Sequence, residues 1–260
     1  MYDIEGLNIA QQEAKKQAKQ ALVHLKIETG TSRQGVLSKH LQSLLGDIQR
    51  MGHVALVGVS THFANIEDSA NPEYATLQFQ RFLEATKLVS SSGFEPPNIH
   101  CACSAAIFLY PQTHGTLVRG GISLYGLWSS ALVEKTLRSQ QVTCRIEPVL
   151  TWKTRVAQIK SLAGGTPVGY GLTHRLTQRS RIAILPVGYW DGYDRKLSNN
   201  AEVLIKGTRC KVLGRICMNM MMVDVSNVPD VNKEDVATLI GVEARHSISA
   251  DKLADAIGTI

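Results

Sequence analysis

Apolar positions in the first half of the chain recur in two alternating rhythms. Residues 7–21, rich in Gln, Ala and Lys, predict a helix, and residues 21–28 (ALVHLKIE) predict a short strand running into the polar loop TGTSRQG. Residues 35–51 carry Val36, Leu41, Leu44, Leu45 and Ile48 at helical spacing. Residues 53–63 predict a strand and polar loop, and 72–91 a long helix offering Leu77, Phe79, Phe82, Leu83 and Leu88 for packing. Residues 99–104 and 118–125 read as further short strands ending in polar residues. Strand, polar loop and helix in repetition is the pattern of βα units on a parallel sheet.

Near residue 130 the texture changes. Runs at 146–156, 180–187, 201–205 and 220–225 are β-like, punctuated by Gly164-Gly165, Gly169, Gly188 and Lys206-Gly207, with a helix expected near 249–257. The expected fold class is therefore α/β plus β. A partial (β/α)8 TIM-type barrel would occupy residues 1–135, and a predominantly β domain residues 136–260. A complete barrel takes about 250 residues, so the βα portion accounts for roughly half of one. Functional side chains of such barrels sit just past the strand ends. Lys26, Arg33, His62, Ser104 and Arg119 all fall at or near those positions.

Composition narrows the class further. The 260 residues are 44% hydrophobic and 19% charged, which fits a globular chain and excludes a disordered or collagenous one. No run approaches the roughly 20 apolar residues of a membrane-spanning helix. The opening residues carry acids and lack an apolar stretch, so no signal peptide is expected and the location is expected to be cytoplasmic. The net charge of +6 is spread along the chain, and no finger spacing, RNP motif or basic heptad region accompanies it. Nucleic acid and membrane are thus not expected as partners, while the positive excess suits small anions. Five cysteines (Cys101, Cys103, Cys144, Cys210, Cys217) argue against a disulfide framework by their odd count. The spacing of Cys101 and Cys103 does not match a zinc knuckle, so no metal is expected.

Seven segments carry a resemblance: HLKIETGTSRQG (24–35), STHFANIED (60–68), HCACSAA (100–106), LVRGGISLYGL (117–127), VGYGLTH (168–174), ILPVGYWDGY (184–193) and GRICMNMMMVDV (214–225). In this order the chain resembles the alanine racemases, fold-type-III enzymes dependent on pyridoxal 5'-phosphate (PLP). The resemblance implies interconversion of L- and D-alanine for peptidoglycan supply, by a homodimer with shared active sites. It makes Tyr170 one of two bases for α-proton transfer; a phenol ordinarily titrates near pH 10 and needs nearby positive charge to act near neutrality. It places Arg33 by that phenol and the substrate carboxylate, and Lys26 as a carbamylation candidate bracing Arg33. Arg119 would face the pyridine nitrogen, with His62 near it. Ser104, Gly121 and Ile122 would cradle the phosphate, Met218 would contact substrate through its backbone, and Tyr189 would gate entry.

Departures accompany the match. The Schiff-base lysine motif K-A-N-A-Y-G does not occur in this chain, nor does the family's final segment, so the resemblance implies a fragment shortened at both ends. Glu28 stands where the family usually has Asp, Cys103 where Asn is common, and Asn219 where Asp is common. The alternative implied is a non-catalytic remnant, or a module that pairs with a complete racemase.

Overall fold

A computed structural model describes residues 1–68 and 70–259. The chain divides into two compact units, Met1–Glu147 and Pro148–Ile260. The first runs α1 (Ile4–Lys16), β1 (Ala21–Lys26), α2 (Ser38–Gln49), β2 (Val54–Ser60), α3 (Glu73–Ser91), β3 (Asn98–His100), α4 (Ser104–Leu109) and α5 (Ala131–Ser139). The three strands lie parallel in sequence order, as expected for helix crossovers. Leu41, Leu44, Leu45 and Ile48 of α2 and Phe82, Ala85 and Val89 of α3 are buried on the helical spacing, in one core with Val23, Leu25 and Val59 of the strands. Asp3 caps α1 by accepting from the Gly6 amide at 2.7 Å.

Two expected strands differ. The 99–104 run ends as strand at His100, because Ser104 opens α4. The 118–125 run forms no strand: the Thr116 and Arg119 amides donate to the Ile99 and Ala102 carbonyls, and the chain then turns into a 3-10 helix, Ile122–Tyr125. Gly120 and Gly121 precede that turn and Gly126, at φ +71°, closes it. Helix α5 spans the 135/136 division read from the sequence and packs on α4, so the border between units lies at 147/148.

The second unit is β-rich. It comprises β4 (Trp152–Arg155), β5 (Gln158–Leu162), β6 (Pro167–Val168), β7 (His174–Arg175), β8 (Ser180–Leu185), β9 (Glu202–Ile205), β10 (Thr208–Leu213), β11 (Met221–Asp224), β12 (Val236–Glu243), β13 (His246–Ile248) and α6 (Ala250–Ile257). An antiparallel sheet runs β13-β12-β9-β10-β11-β8-β5, with β4 also on β12, and β6 pairs β7 separately. Leu185, Val203, Ile205, Val212, Met221, Val223 and Leu239 fill its core. The fold class read from the sequence, a βα portion followed by a β-rich portion, holds. Among the described residues no helix is long and apolar enough to cross a membrane.

Candidate active site

Lys26 ends β1, and the chain then enters a loop shaped by one carboxylate. Glu28 accepts from the amides of Gly30 (2.5 Å), Ser32 (3.1 Å) and Arg33 (3.2 Å). Partial burial pulls its pKa up, but these backbone donors and that of Thr31 outweigh it and hold the carboxyl below its ordinary value. Gly35, at φ +151°, closes the loop; a Cβ there would meet the Glu28 nitrogen at 2.5 Å. Arg33 is thereby presented on the surface from a fixed backbone.

Arg119 is the most heavily bonded side chain of the site. Its Nη1 donates to His100 Nδ1 (2.5 Å) and to the His100 carbonyl (3.0 Å). Its Nη2 reaches the Thr61 carbonyl (2.7 Å), the Cys101 carbonyl (3.2 Å) and His62 Nδ1 (3.3 Å). Among the described residues all five bonds use the Nη atoms, which leaves Nε–H as the remaining donor. Burial lowers the Lys26 pKa, and the charges of Arg33 and Arg119 lower it further against Glu28. His62 is likewise depressed by burial, then by Arg119, Arg33 and Lys26. The structure thus gathers Lys26, Arg33, His62 and Arg119 into one electropositive cluster at the strand ends.

The Arg119 contact also fixes two histidine tautomers. A guanidinium can only donate, so His100 Nδ1 accepts and its proton sits on Nε2. That proton faces His24 Nδ1 at 2.8 Å, which must accept in turn. Burial first, and then Arg119 and His24, lower the pKa of His100 to about 4, so the ring is neutral at pH 7. Gly58 on β2 makes room for this chain: a Cβ there would lie 2.5 Å from His24 Nδ1.

Ser104 opens α4 and is buried. Its Oγ accepts from the Gly121 amide (2.9 Å), the Ser123 amide (3.3 Å) and the Ser123 hydroxyl (3.1 Å). Two backbone donors and two hydroxyls therefore converge beside the Ile122–Tyr125 turn. A Cβ on Gly121 would lie 3.6 Å from Ser104 Oγ, an ordinary van der Waals contact, so the glycine leaves this face of the turn open without being required by it.

In the second unit, Tyr170 projects from the turn between β6 and β7. Gly169 (φ +73°) and Gly171 (φ +69°) flank it in the left-handed region, and side chains there would strike Met222 and Arg215. Tyr170 is 69% exposed. Tyr189 is tied to the loop between β10 and β11 that carries Met218 by backbone: its amide donates to the Cys217 carbonyl (3.1 Å) and that of Trp190 to the Met218 carbonyl (2.9 Å). A Cβ on Gly188 would meet the Cys217 oxygen, so only glycine permits the approach. Tyr170, Tyr189 and Met218 line one cleft of about 630 Å3 together with Arg195, Cys217 and Asn219.

Two family models cover most of the chain: "Alanine racemase, N-terminal domain" over residues 1–129 and "Alanine racemase, C-terminal domain" over residues 149–260. The alanine racemase of Methanococcus maripaludis is 36% identical over 261 residues, covering 100% of this chain and 68% of that protein. The chain belongs to the alanine racemase family. The Leptospira interrogans alanine racemase is 39% identical over 239 residues, or 92% of this chain and 61% of that protein. The family's solved structures superpose as well: alanine racemase from Bacillus anthracis with bound L-Ala-P gives a TM-score of 0.89 at 30% identity, over 100% of this chain and 65% of that one. The chain thus spans about three-fifths to two-thirds of the length of these family members.

Sequence reasoning assigned no role to several residues that hold this site. His24 and His100 open two of the matched segments, and their position at the head of each was the available signal. Glu28 was noted only as a departure, Thr29 and Thr61 lie inside two matched segments without a role of their own, and Gln78 carried no local signal.

Proposed function

We propose that this chain carries most of the active site of a PLP-dependent alanine racemase, acting on L- and D-alanine. The observation that carries the reading is the convergence of the Ser104–Gly121–Ser123 donors and the Arg119 cluster at the ends of adjacent strands. Ser104 and the Gly121 and Ile122 backbone would hold the phosphate, and Arg119, through its remaining Nε–H, the ring nitrogen. PLP, when bound, supplies an electron-withdrawing ring that makes the α-proton of alanine labile. A guanidinium does not release a proton readily, so Arg119 would keep that nitrogen unprotonated and moderate the withdrawal.

Arg33 would orient the substrate carboxylate by charge-assisted hydrogen bonds, and Tyr170 would take or return the proton on one face. A lowered Lys26 pKa raises the neutral amine fraction, which is the form that reacts with carbon dioxide, and a carbamate formed there would sit among Arg33 and Arg119. His62 would steady Arg119 as a neutral acceptor. Met218 would offer its backbone to substrate and Tyr189 would gate the cleft, both serving the neighbouring subunit of a cytoplasmic homodimer that feeds peptidoglycan synthesis.

The K-A-N-A-Y-G lysine that the resemblance makes the anchor of PLP and the second base is not among these residues. The test is D-alanine formation by the purified chain with PLP, alone and fused to an upstream segment bearing that lysine. The racemase reading expects poor turnover alone and strong turnover, plus a borohydride-trapped lysine adduct, in the fusion. A fusion that folds, binds PLP and never makes D-alanine overturns it.

A further inference from the structure

Gln78 is the one polar residue among the buried side chains of α3, and it is fully enclosed. Its Oε1 accepts from the Ala64 amide at 2.8 Å. An amide N–H can only donate, so this contact fixes the orientation of the side chain. Nε2 then points at Thr29 Oγ1 (3.3 Å), Thr31 Oγ1 (3.5 Å) and the His62 carbonyl (3.1 Å).

These contacts form a directional chain. Thr61 Oγ1 donates to the Ile27 carbonyl at 2.9 Å, so it must accept the Thr29 hydroxyl proton across their 2.8 Å contact. Thr29 Oγ1 is thereby left to accept from Gln78. Thr29 and Thr61 are 2% and 1% exposed, so no solvent competes for these bonds, and a single polarity along the chain strengthens each. Thr31 closes a second tie by donating to the His62 carbonyl at 2.6 Å. Both loops after β1 and β2 hang from this arrangement, and Arg119 joins it through the Thr61 carbonyl.

We propose that Gln78 is a positioning residue: one buried amide that locks the loop bearing Arg33 to the loop bearing His62, so that Arg33, His62 and Arg119 keep a common geometry. The role of those three in racemisation rests on the function proposed above; the locking does not.

The test uses the full chain with Gln78→Met, which keeps the volume and removes every amide bond. Thr29→Val, nearly isosteric, breaks the same chain at its middle and serves if Gln78→Met fails to fold. Val89→Ala, at the far end of α3, is the control for general loss of stability. Two readouts are taken: amide hydrogen exchange at 30–33 and 61–64, and the imidazole titration of His62 by NMR. His62 faces Arg119, Arg33 and Lys26, which with burial hold it below its ordinary range.

The lock expects Gln78→Met to speed exchange in both segments together, by tenfold or more, and to move the His62 midpoint up toward that of a free imidazole. Thr29→Val shifts both in the same direction by less, and Val89→Ala lowers the thermal midpoint with His62 unmoved. Loosening of one loop alone, an unchanged His62 midpoint, or an equal shift in Val89→Ala overturns the proposal. Neither readout needs cofactor or turnover. A chain that never racemises alanine would thus defeat the proposed function and leave this inference standing.

Discussion

Arg33 apart, the two units hold their site residues in opposite ways. In the first, Arg119, His100, Ser104, Thr29, Thr61 and Gln78 are buried or half-buried, and each is fixed by side-chain hydrogen bonds across strands. In the second, Tyr170, Tyr189 and Met218 are all exposed, and their placement comes from backbone: two left-handed glycines beside Tyr170 and two amide bonds tying Tyr189 and Trp190 to the Cys217–Met218 carbonyls. A site built from buried polar networks is part of the fold's stability, whereas one built from exposed rings on a rigid backbone is nearly separable from it. The same substitution logic should therefore give different results in the two units.

The largest effect is expected at Arg119. Replacing it by Leu leaves the carbonyls of Thr61 and Cys101 without their donor and that of His100 with only the Thr61 amide, in a half-buried site, a loss of about 3 to 5 kcal/mol. Urea denaturation of Arg119→Leu against the parent checks it; a cost under about 1 kcal/mol would mean that the network is not integral to the first unit.

Acid should act on the same unit next. His100 has a folded pKa of about 4, below the ordinary value near 6.5, so the unfolded chain takes up its proton first. The contribution is complete above pH 6.5 and drains away as the pH falls toward 4, by at most about 3 kcal/mol. An NMR titration should find the His100 midpoint near 4, and His100→Gln should flatten the stability profile between those limits. A midpoint near 6.5 would show that Arg119 and His24 do not hold the ring as described.

Much of this contrast could be read in the sequence and part of it could not. β1, β2, α2 and α3 were legible because their apolar spacing is local, and the strand-end positions of Lys26, Arg33 and His62 followed from them, whereas Arg119 lies on the 118–125 run, which forms no strand. The turn at Ile122–Tyr125 was misread as strand because Leu117, Val118, Ile122 and Leu124 look like a β run; Gly120-Gly121 was the contrary signal. β12 (VATLIGVE), the strand on which β4, β9 and β13 pair, has a composition that suits a strand but lies outside the β-like runs read from the sequence. The ties were out of reach for a different reason. His24 and His100 are 76 residues apart and meet only through the register of strands, which no local period encodes. Gln78 carries no local sign of burial, and it is enclosed only because α3 turns that face to the core.

Gly188→Ala tests the backbone placement of the second unit. A Cβ would fall within contact of the Cys217 oxygen and 2.5 Å from the Met218 oxygen, so the two segments must separate, at about 1 to 3 kcal/mol. The two amide bonds joining Tyr189 and Trp190 to those carbonyls should lose exchange protection together, and unchanged protection would refute the coupling.

The smallest effect on stability, and the sharpest separation from function, is expected at Tyr170. The residue is 69% exposed and its turn is fixed by Gly169 and Gly171, not by the phenol. Removing the hydroxyl therefore deletes no buried partner, and Tyr170→Phe should change unfolding free energy by less than about 0.5 kcal/mol. If the phenol moves the α-proton, the same change in a preparation that turns over should cut kcat by about a hundredfold or more, with PLP affinity unaltered. The paired measurement is the informative one. Loss of turnover with stability intact places Tyr170 as a chemical group on a passive frame. A stability loss as large as that of Gly188→Ala would mean that the exposed rings of the second unit are structural after all, and the opposition between the two units would fail.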